Sequence, residues 1–293
     1  MNITEYENYQ EKKVRSSSSF PYVTYPCSIP LDFSRVPLHW HDEMEFIYIK
    51  KGGGAVTVDF LTYTVRSGDI LVVLPGQLHS IDQADGRTME YENIIFHTNM
   101  LFSRQEDVCF NQYFLPLMQR QIQIPLYLSG DWEAYAEAAA CLDRADSLCG
   151  LRPPAYQLSV KAQLLQFFYI LFSHSVPAER PVRPAKSSSL DKAKLILKYI
   201  ETHYADNLTI KEMAEVCGFS QSHFMKFFKA SFGTSFVAYL KEYRLTMASR
   251  LLLASSSSIL TIAQETGFDN LSYFNRSFKA MYGVTPGQFR QGS

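Results

Sequence analysis

Residues 208–240 and 258–289 carry one pattern twice, and few folds accommodate that pattern. Ile210, Ala214, Gly218 and Phe219 recur 49 residues later as Ile259, Ala263, Gly267 and Phe268. After one inserted residue, Phe224, Phe228, Lys229, Ala230 and Gly233 recur 50 residues later as Phe274, Phe278, Lys279, Ala280 and Gly283. Each copy reads as a short helix, a Gly-centred turn and a second helix opening on a capping residue. In the first copy Thr209-Ile210-Lys211-Glu212 reads as a capping box, Cys217-Gly218-Phe219 ends the helix, and Ser220 caps the next one. In the second copy the expected cap is Asp269 or Asn270.

The second helix of each copy has two faces. Phe224, Phe227 and Phe228 fall at the spacing of one buried face, while Ser222, Met225, Lys226 and Lys229 fall on another. The corresponding stripe in the second copy is Ser272, Asn275, Arg276 and Lys279, with Phe274 and Phe278 turned inward. A single polar stripe is ordinarily a solvated face. Two in register, each behind the same Ala-x3-Gly-Phe turn, have the layout of a duplex DNA reader, in which Asn can pair bidentately with adenine and Arg with guanine.

Residues 191–290 resemble the double helix-turn-helix domain of the AraC family of bacterial transcription regulators. The resemblance is carried by Gly267-Phe268, Phe274-Asn275-Arg276-Ser277-Phe278-Lys279 and Gly283-Val284-Thr285-Pro286-Gly287-Gln288-Phe289-Arg290. Between the copies, Phe236, Tyr239, Leu240, Tyr243, Met247 and Leu251 make the apolar side of a connecting helix. The resemblance implies that this helix holds the two readers apart, so that they enter adjacent major-groove turns about 34 Å apart. It also implies promoter half-sites in double-stranded DNA, RNA polymerase and a second copy of the chain as partners, and a small-molecule effector, a sugar among the candidates. Met225 and Lys226 depart from the polar residues and arginine more usual in the family. Met cannot hydrogen-bond a base edge and Lys is a point charge rather than a fork, so the second recognition helix is expected to read bases more sharply.

The net charge of −1 at first argues against nucleic acid. It is unevenly spread: residues 191–293 hold twelve Lys and Arg against eight Asp and Glu, so the basic excess lies with the duplicated motif. No apolar run reaches the roughly 18 residues of a membrane span, and residues 1–20 lack the apolar stretch of a secretion signal. A cytoplasmic protein is expected. Its five cysteines form no C-x-x-C pair and are odd in number, which fits neither a disulfide framework nor a zinc finger.

The expected fold class is α+β in two domains: an N-terminal cupin-like β-barrel or jelly roll with trailing helices, and an all-α double helix-turn-helix. A polar arm occupies 1–19 and the ligand-sensing domain 20–130. Within the latter, Phe46–Ile49, Ala55–Phe60, Tyr63–Arg66, Ile70–Leu74 and Tyr91–Phe96 read as strands separated by Gly52-Gly53-Gly54, Ser67-Gly68-Asp69 and Pro75-Gly76. A helical dimerisation segment follows at 131–175, a Pro- and Ser-rich linker at 176–190, and the DNA-binding domain at 191–293. The second helix of the dimerisation segment carries Leu158, Lys161, Ala162, Leu165, Phe168, Tyr169 and Phe172 in a mostly apolar stripe. That stripe can pack on the barrel or on its counterpart in a second subunit, as helices after the barrel do in the family.

His39, His41 and Glu45 fit H-x-H-x3-E, and Pro75-Gly76-Gln77-Leu78-His79 fits the second half of the same pattern; together they resemble the two cupin motifs. Positions 39, 41 and 45 share parity and therefore one face of a strand. Three imidazoles and a carboxylate suit a divalent transition metal. They equally suit an organic effector, with Trp40, Tyr48 and Arg66 helping if they line the pocket. The alternative from another class is a cupin metalloenzyme, of dioxygenase or isomerase type, with an accessory DNA-binding domain; no separate acid/base constellation accompanies it, and a non-enzymatic regulator is the expectation.

Overall fold

A computed structural model describes residues 20–31, 35–84, 86–102, 107–177 and 187–291. The expected arm at 1–19 and most of the expected linker lie outside the described residues. The chain divides into two units between Pro184 and Ala185. No described helix is long and apolar enough to cross a membrane.

In the N-terminal unit, β-branched and aromatic segments form β1 (Tyr22–Ile29), β2 (Arg35–His39), β3 (Met44–Val58), β4 (Leu61–Arg66), β5 (Ile70–Val73), β6 (His79–Gln83) and β7 (Met89–Phe96), with the two-residue β8 (Ile122–Gln123) and β9 (Tyr127–Leu128). All pairings are antiparallel, and the sheet is jelly-roll-like without closing. β3 is its hub. The first half of β3 pairs with β5 and β7, and the second half with β4 and β6. The glycine triplet, expected to separate two strands, lies inside this one strand. A side chain at Gly52, where φ is +72°, would put its Cβ 1.9 Å from the Thr88 carbonyl oxygen, and one at Gly53 would meet the Val65 oxygen at 2.5 Å. The triplet is therefore where neighbouring backbones come too close for a Cβ, not where the chain turns.

The pleat then sorts the β3 side chains. Met44, Phe46 and Tyr48 join Tyr22, Ile94 and Phe96 in a core shared with two long helices; Glu45, Ile47 and Ile49 point to the opposite face. After the short α1 (Leu115–Met118) come those helices, α2 (Tyr135–Leu151) and α3 (Tyr156–Ser173). α3 buries Val160, Leu164, Phe167, Phe168 and Leu171. Phe46 meets Phe167 at 4.8 Å between ring centroids, and Phe168 meets Phe114 at 4.9 Å. The stripe expected for α3 thus mixes two faces: Phe168 belongs to the core, while Leu158, Leu165 and Tyr169 are left 72%, 38% and 66% exposed.

The second unit is helical: α4 (Ser187–His203), α5 (Ile210–Cys217), α6 (Gln221–Phe232), α7 (Phe236–Ala254), α8 (Ile259–Glu265), α9 (Leu271–Tyr282) and α10 (Pro286–Gln291). Caps define nearly every start. The Thr209, Ser220, Ser235, Ser258 and Asn270 side chains each accept from a backbone N–H three residues on. Asn270, not Asp269, is the cap of α9. Only half of the expected capping box at α5 forms, because the Glu212 carboxylate accepts instead from the Tyr199 hydroxyl at 2.7 Å. A reciprocal box does form at α10, where the Thr285 hydroxyl accepts from Gln288 N and the Gln288 side chain accepts from Thr285 N.

The connecting helix α7 serves two cores. Phe236 and Tyr239 pack on Phe228 near its start, whereas Leu245, Ala248 and Leu252 pack with Phe274, Phe278 and Phe289 near its end. The buried face rotates along the helix, so Tyr243, Met247 and Leu251 of the expected stripe are only half-buried. Arg244 sits between the two halves. Its guanidinium donates to the carbonyl oxygens of Tyr204 (2.7 Å), Asp206 (2.7 Å) and Gly267 (2.8 Å), tying α7 to the segment before α5 and to the turn of the second motif. Three of the five cysteines, Cys27, Cys141 and Cys217, are buried as expected of structural thiols; Cys109 is exposed.

Candidate functional site

β2, β3 and β6 bring four predicted side chains together. His39 ends β2 and pairs across the ladder with His79, the first residue of β6; their rings lie 4.0 Å apart between centroids. His41 follows on the loop into β3, where Gly76 N donates to its carbonyl at 2.8 Å, and Glu45 enters on the face away from the helices. The ligating atoms of His39, His41, Glu45 and His79 all lie within 4.8 Å of one another. Glu45 Oε2 is 2.7 Å from His41 Nε2 and 2.9 Å from His79 Nε2.

Each imidazole is held from behind by a backbone carbonyl. His39 Nδ1 is 2.9 Å from the Pro37 oxygen, His41 Nδ1 is 3.2 Å from the Glu43 oxygen, and His79 Nδ1 is 3.0 Å from the Gln77 oxygen. A carbonyl only accepts, so each Nδ1 can donate to its backbone oxygen, and His41 Nε2 also lies at hydrogen-bond distance from the Glu45 carboxylate, which likewise only accepts. Glu45 and His79 are fully buried, whereas His39 and His41 are partly exposed, so solvent reaches the cluster past these two. Burial pushes the His39 imidazole down to about 3, with the neighbouring His79 and His41 adding to the effect. Burial alone would raise the Glu45 carboxyl, but His79 and His41 hold it well below the usual carboxylate range.

Tyr48 and Arg66, expected to help line a pocket here, are not brought to it. Tyr48 has even parity on β3, lies on the helix side and carries Lys50 Nζ 3.4 Å above its ring. Arg66 is exposed and pairs with Asp131 at 3.0 Å. Trp40 is half-buried between the two histidines. His97 caps a short helical turn, and His174 lies 3.1 Å from Glu133, so both stand apart from the cluster.

Two supports escape sequence reasoning. Asp59, in the two-residue turn between β3 and β4, accepts from Leu78 N at 3.1 Å and from the Gln77 amide at 3.0 Å, while Gln77 Oε1 accepts from Leu74 N. These bonds set the loop that delivers His79. Asp59 and Phe60 both have positive φ, in a turn usually marked by Asn-Gly or Asp-Gly, so the sequence signal was weak.

In the second unit, Ser222, Met225, Lys226 and Lys229 are all exposed along α6, while Phe224 and Phe228 are fully buried beneath them. On α9, Ser272, Arg276 and Lys279 are exposed and Asn275 is half-buried, over buried Phe274 and Phe278. Gly233 and Gly283 end the two helices with φ of +71° and +76°. The two stripes therefore occupy matching faces of matching helices.

An AraC-like ligand binding domain family matches residues 30–168, and a helix-turn-helix domain family matches residues 213–292. The uncharacterized HTH-type transcriptional regulator YdeC of Bacillus subtilis is 22% identical over 286 residues, which is 97% of each chain. The regulatory protein PocR of Salmonella typhimurium is 38% identical over 100 residues, 34% of this chain and 33% of its own. Among solved structures, unsaturated fatty acid-bound ToxT of Vibrio cholerae covers 92% of this chain and 95% of its own at 13% identity, with a TM-score of 0.43.

Proposed function

The chain belongs to the AraC family of transcription regulators, DNA-binding proteins with an N-terminal ligand-binding domain, and from that premise we propose how its residues divide the work. Residues 191–293 bind promoter DNA, with α9 reading base edges through Asn275 and Arg276 and α6 contributing Ser222 and Met225 contacts and phosphate grip from Lys226 and Lys229. Residues 20–130 sense a ligand at His39, His41, Glu45 and His79, and residues 131–175 pair two copies through the exposed side of α3. Ligand binding shifts the population between dimer geometries and thereby the half-sites the readers occupy. The setting is cytoplasmic and the downstream partner is RNA polymerase. The metalloenzyme alternative finds no support among the relatives, which are named as regulators.

The observation that carries the reading is the pair of in-register exposed stripes over buried phenylalanines. Footprinting on the promoter beside its own gene tests it: two protected major-groove segments on one duplex face are expected, and no salt-dependent protection would overturn it. Arg276→Ala is expected to cost about 1–3 kcal/mol and to relax preference at one base, measured by titration against single-base operator variants. Lys229→Ala or Lys279→Ala is expected to weaken all sequences alike and to lower the slope of log K against log salt by about one.

A further inference from the structure

A second group of ionisable side chains lies between the sheet and α2, on the other face of β3 from Glu45. Glu92 of β7 is buried there, opposite Tyr48 of β3 and Pro26 of β1 in the strand register. Its Oε1 accepts from the Thr24 hydroxyl at 2.5 Å. Its Oε2 is fully buried, and no donor among the described residues is aligned on it. Lys50 Nζ lies 3.2 Å from that oxygen and 3.1 Å from Asp143 Oδ1 of α2, so one ammonium spans strand and helix. Asp146, three residues further along α2 and on the same face, hydrogen-bonds the Glu92 carboxyl.

Two carboxylates cannot hydrogen-bond each other, because both only accept. One proton between them is required, and Glu92 is the group that holds it. Removal from water pushes its carboxyl up from the ordinary value of 4.5, and Asp146 adds to this, while Thr24 and Lys50 pull the other way without reversing it. A proton on Oε2 turns the unmatched oxygen into a donor to Asp146. The other groups facing the seam do not compete. Burial pushes the Tyr22, Tyr48 and Tyr135 hydroxyls up and the Cys149 thiol up to about 11, so all four stay neutral where Glu92 titrates.

The folded chain thus holds a proton that the unfolded chain releases. The bond between β7 and α2 is fully present below the ordinary carboxylate range and is lost as pH rises through the raised value. Above it, one ammonium is divided among three carboxylates. α2 is sensitive to such a change because its buried residues are Ala138, Ala139, Cys141, Leu142 and Ala145, small side chains that contribute little apolar area beside the phenylalanines of α3. The two helices share one core, so a shift of α2 reaches α3.

We propose that Glu92 and Asp146 form a proton-operated latch that fixes α2 on the sheet while they share a proton and releases it when Glu92 ionises, and that this release changes how two copies pair through α3. The second half rests on the functional reading above.

The test uses the full-length chain and reads hydrogen–deuterium exchange of the α2 amides between about pH 5 and pH 8, corrected for the intrinsic pH dependence of exchange. Wild-type protection is expected to fall at least about tenfold across this window. Glu92→Gln offers Asp146 an amide N–H at every pH and is expected to hold protection constant. Asp146→Asn removes the repulsion from the exposed side of the seam and is expected to do the same, which keeps the latch testable should Glu92→Gln fail to fold. Lys50→Gln removes the cation that favours ionised Glu92, so its fall is expected at higher pH. Wild-type protection that is constant with pH, or an undiminished fall in folded Asp146→Asn, overturns the latch, and so does a Lys50→Gln midpoint that stays or moves lower. Sedimentation velocity at both ends of the window reads the second half: a dimer dissociation constant that changes severalfold in wild type and not in Asp146→Asn is expected, and an unchanged one overturns it. Footprinting on the same protein separates the two readings. Absent salt-dependent protection of DNA overturns the functional reading and leaves the latch standing, whereas constant α2 exchange beside an intact footprint does the reverse.

Discussion

Phe168→Glu is expected to unfold the N-terminal unit, while Leu165→Glu combined with Tyr169→Glu is expected to leave it folded and to yield monomers. The two substitutions sit on one helix and differ in which face they charge. Phe168 is fully buried and its ring meets Phe46, Phe96, Phe114 and Phe172. A carboxylate there loses its hydration without a cation to replace it, at a cost of several kcal/mol on top of the lost packing, against a total stability of about 5–15 kcal/mol. Leu165 and Tyr169 lie with Leu158 along the exposed side of the same helix. Such a stripe is more apolar than a solvated helix face ordinarily presents. Circular dichroism and sedimentation velocity together check the pair of outcomes. A wild type that sediments as a monomer at micromolar concentration would remove the seam, and a folded Phe168→Glu would remove the core assignment.

Arg244→Ala is expected to destabilise the second unit by about 3 kcal/mol and to weaken operator binding far beyond what the loss of one distant cation explains. Each bond from a guanidinium to a carbonyl is worth about 1.5–3 kcal/mol, and the three are not additive because they share one side chain. The carbonyls of Tyr204, Asp206 and Gly267 are left to be satisfied by water. Arg244→Lys keeps the charge but cannot span three acceptors, so an intermediate loss is expected. Thermal unfolding and operator titration measure the two effects. The decisive comparison is between an operator with both contact segments and one with a single segment. A clamp that aligns the readers makes the variant lose more on the former, and equal losses would reduce Arg244 to a stability residue.

Much of the second unit was legible because it is written in local rules. A capping hydroxyl, a left-handed glycine and phenylalanines three and four residues apart act within one or two turns, and duplication repeats the message. Thr209, Ser220, Gly218 and Phe228 needed no knowledge of distant partners. Arg244 did, since its acceptors lie 40, 38 and 23 residues away in sequence. The jelly-roll character of the first unit was likewise readable, and so was the H-x-H-x3-E cluster from its motif spacing, although not from the shared strand face expected of it: His39 ends β2, His41 lies on the loop and Glu45 is in β3. Parity placed Tyr48 opposite Glu45, and the expectation that it joined the pocket overlooked this. The glycine triplet was misread because turn and close approach leave the same residue in the sequence, and only the crossing of β3 with its neighbours distinguishes them. On α3, the apolar content was visible but its division between two faces was not. A helix that packs inward on one side and remains apolar on the other has no polar stripe to set the phase.

The connecting helix α7, with its buried face turning from one core to the other, has a consequence for what its operators can vary. Adding a single residue near its middle would rotate everything downstream by about 100° and advance it by about 1.5 Å. Leu245, Ala248 and Leu252 would leave their core at once, and the Arg244 fork would lose its acceptors. Length is therefore closed to small changes, whereas the exposed residues of α6 and α9 can be exchanged without disturbing the phenylalanines beneath them. On the proposed reading, a DNA site for such a protein has fixed metre and free wording: the distance between its two words is dictated by the helix, and only their letters are open to revision.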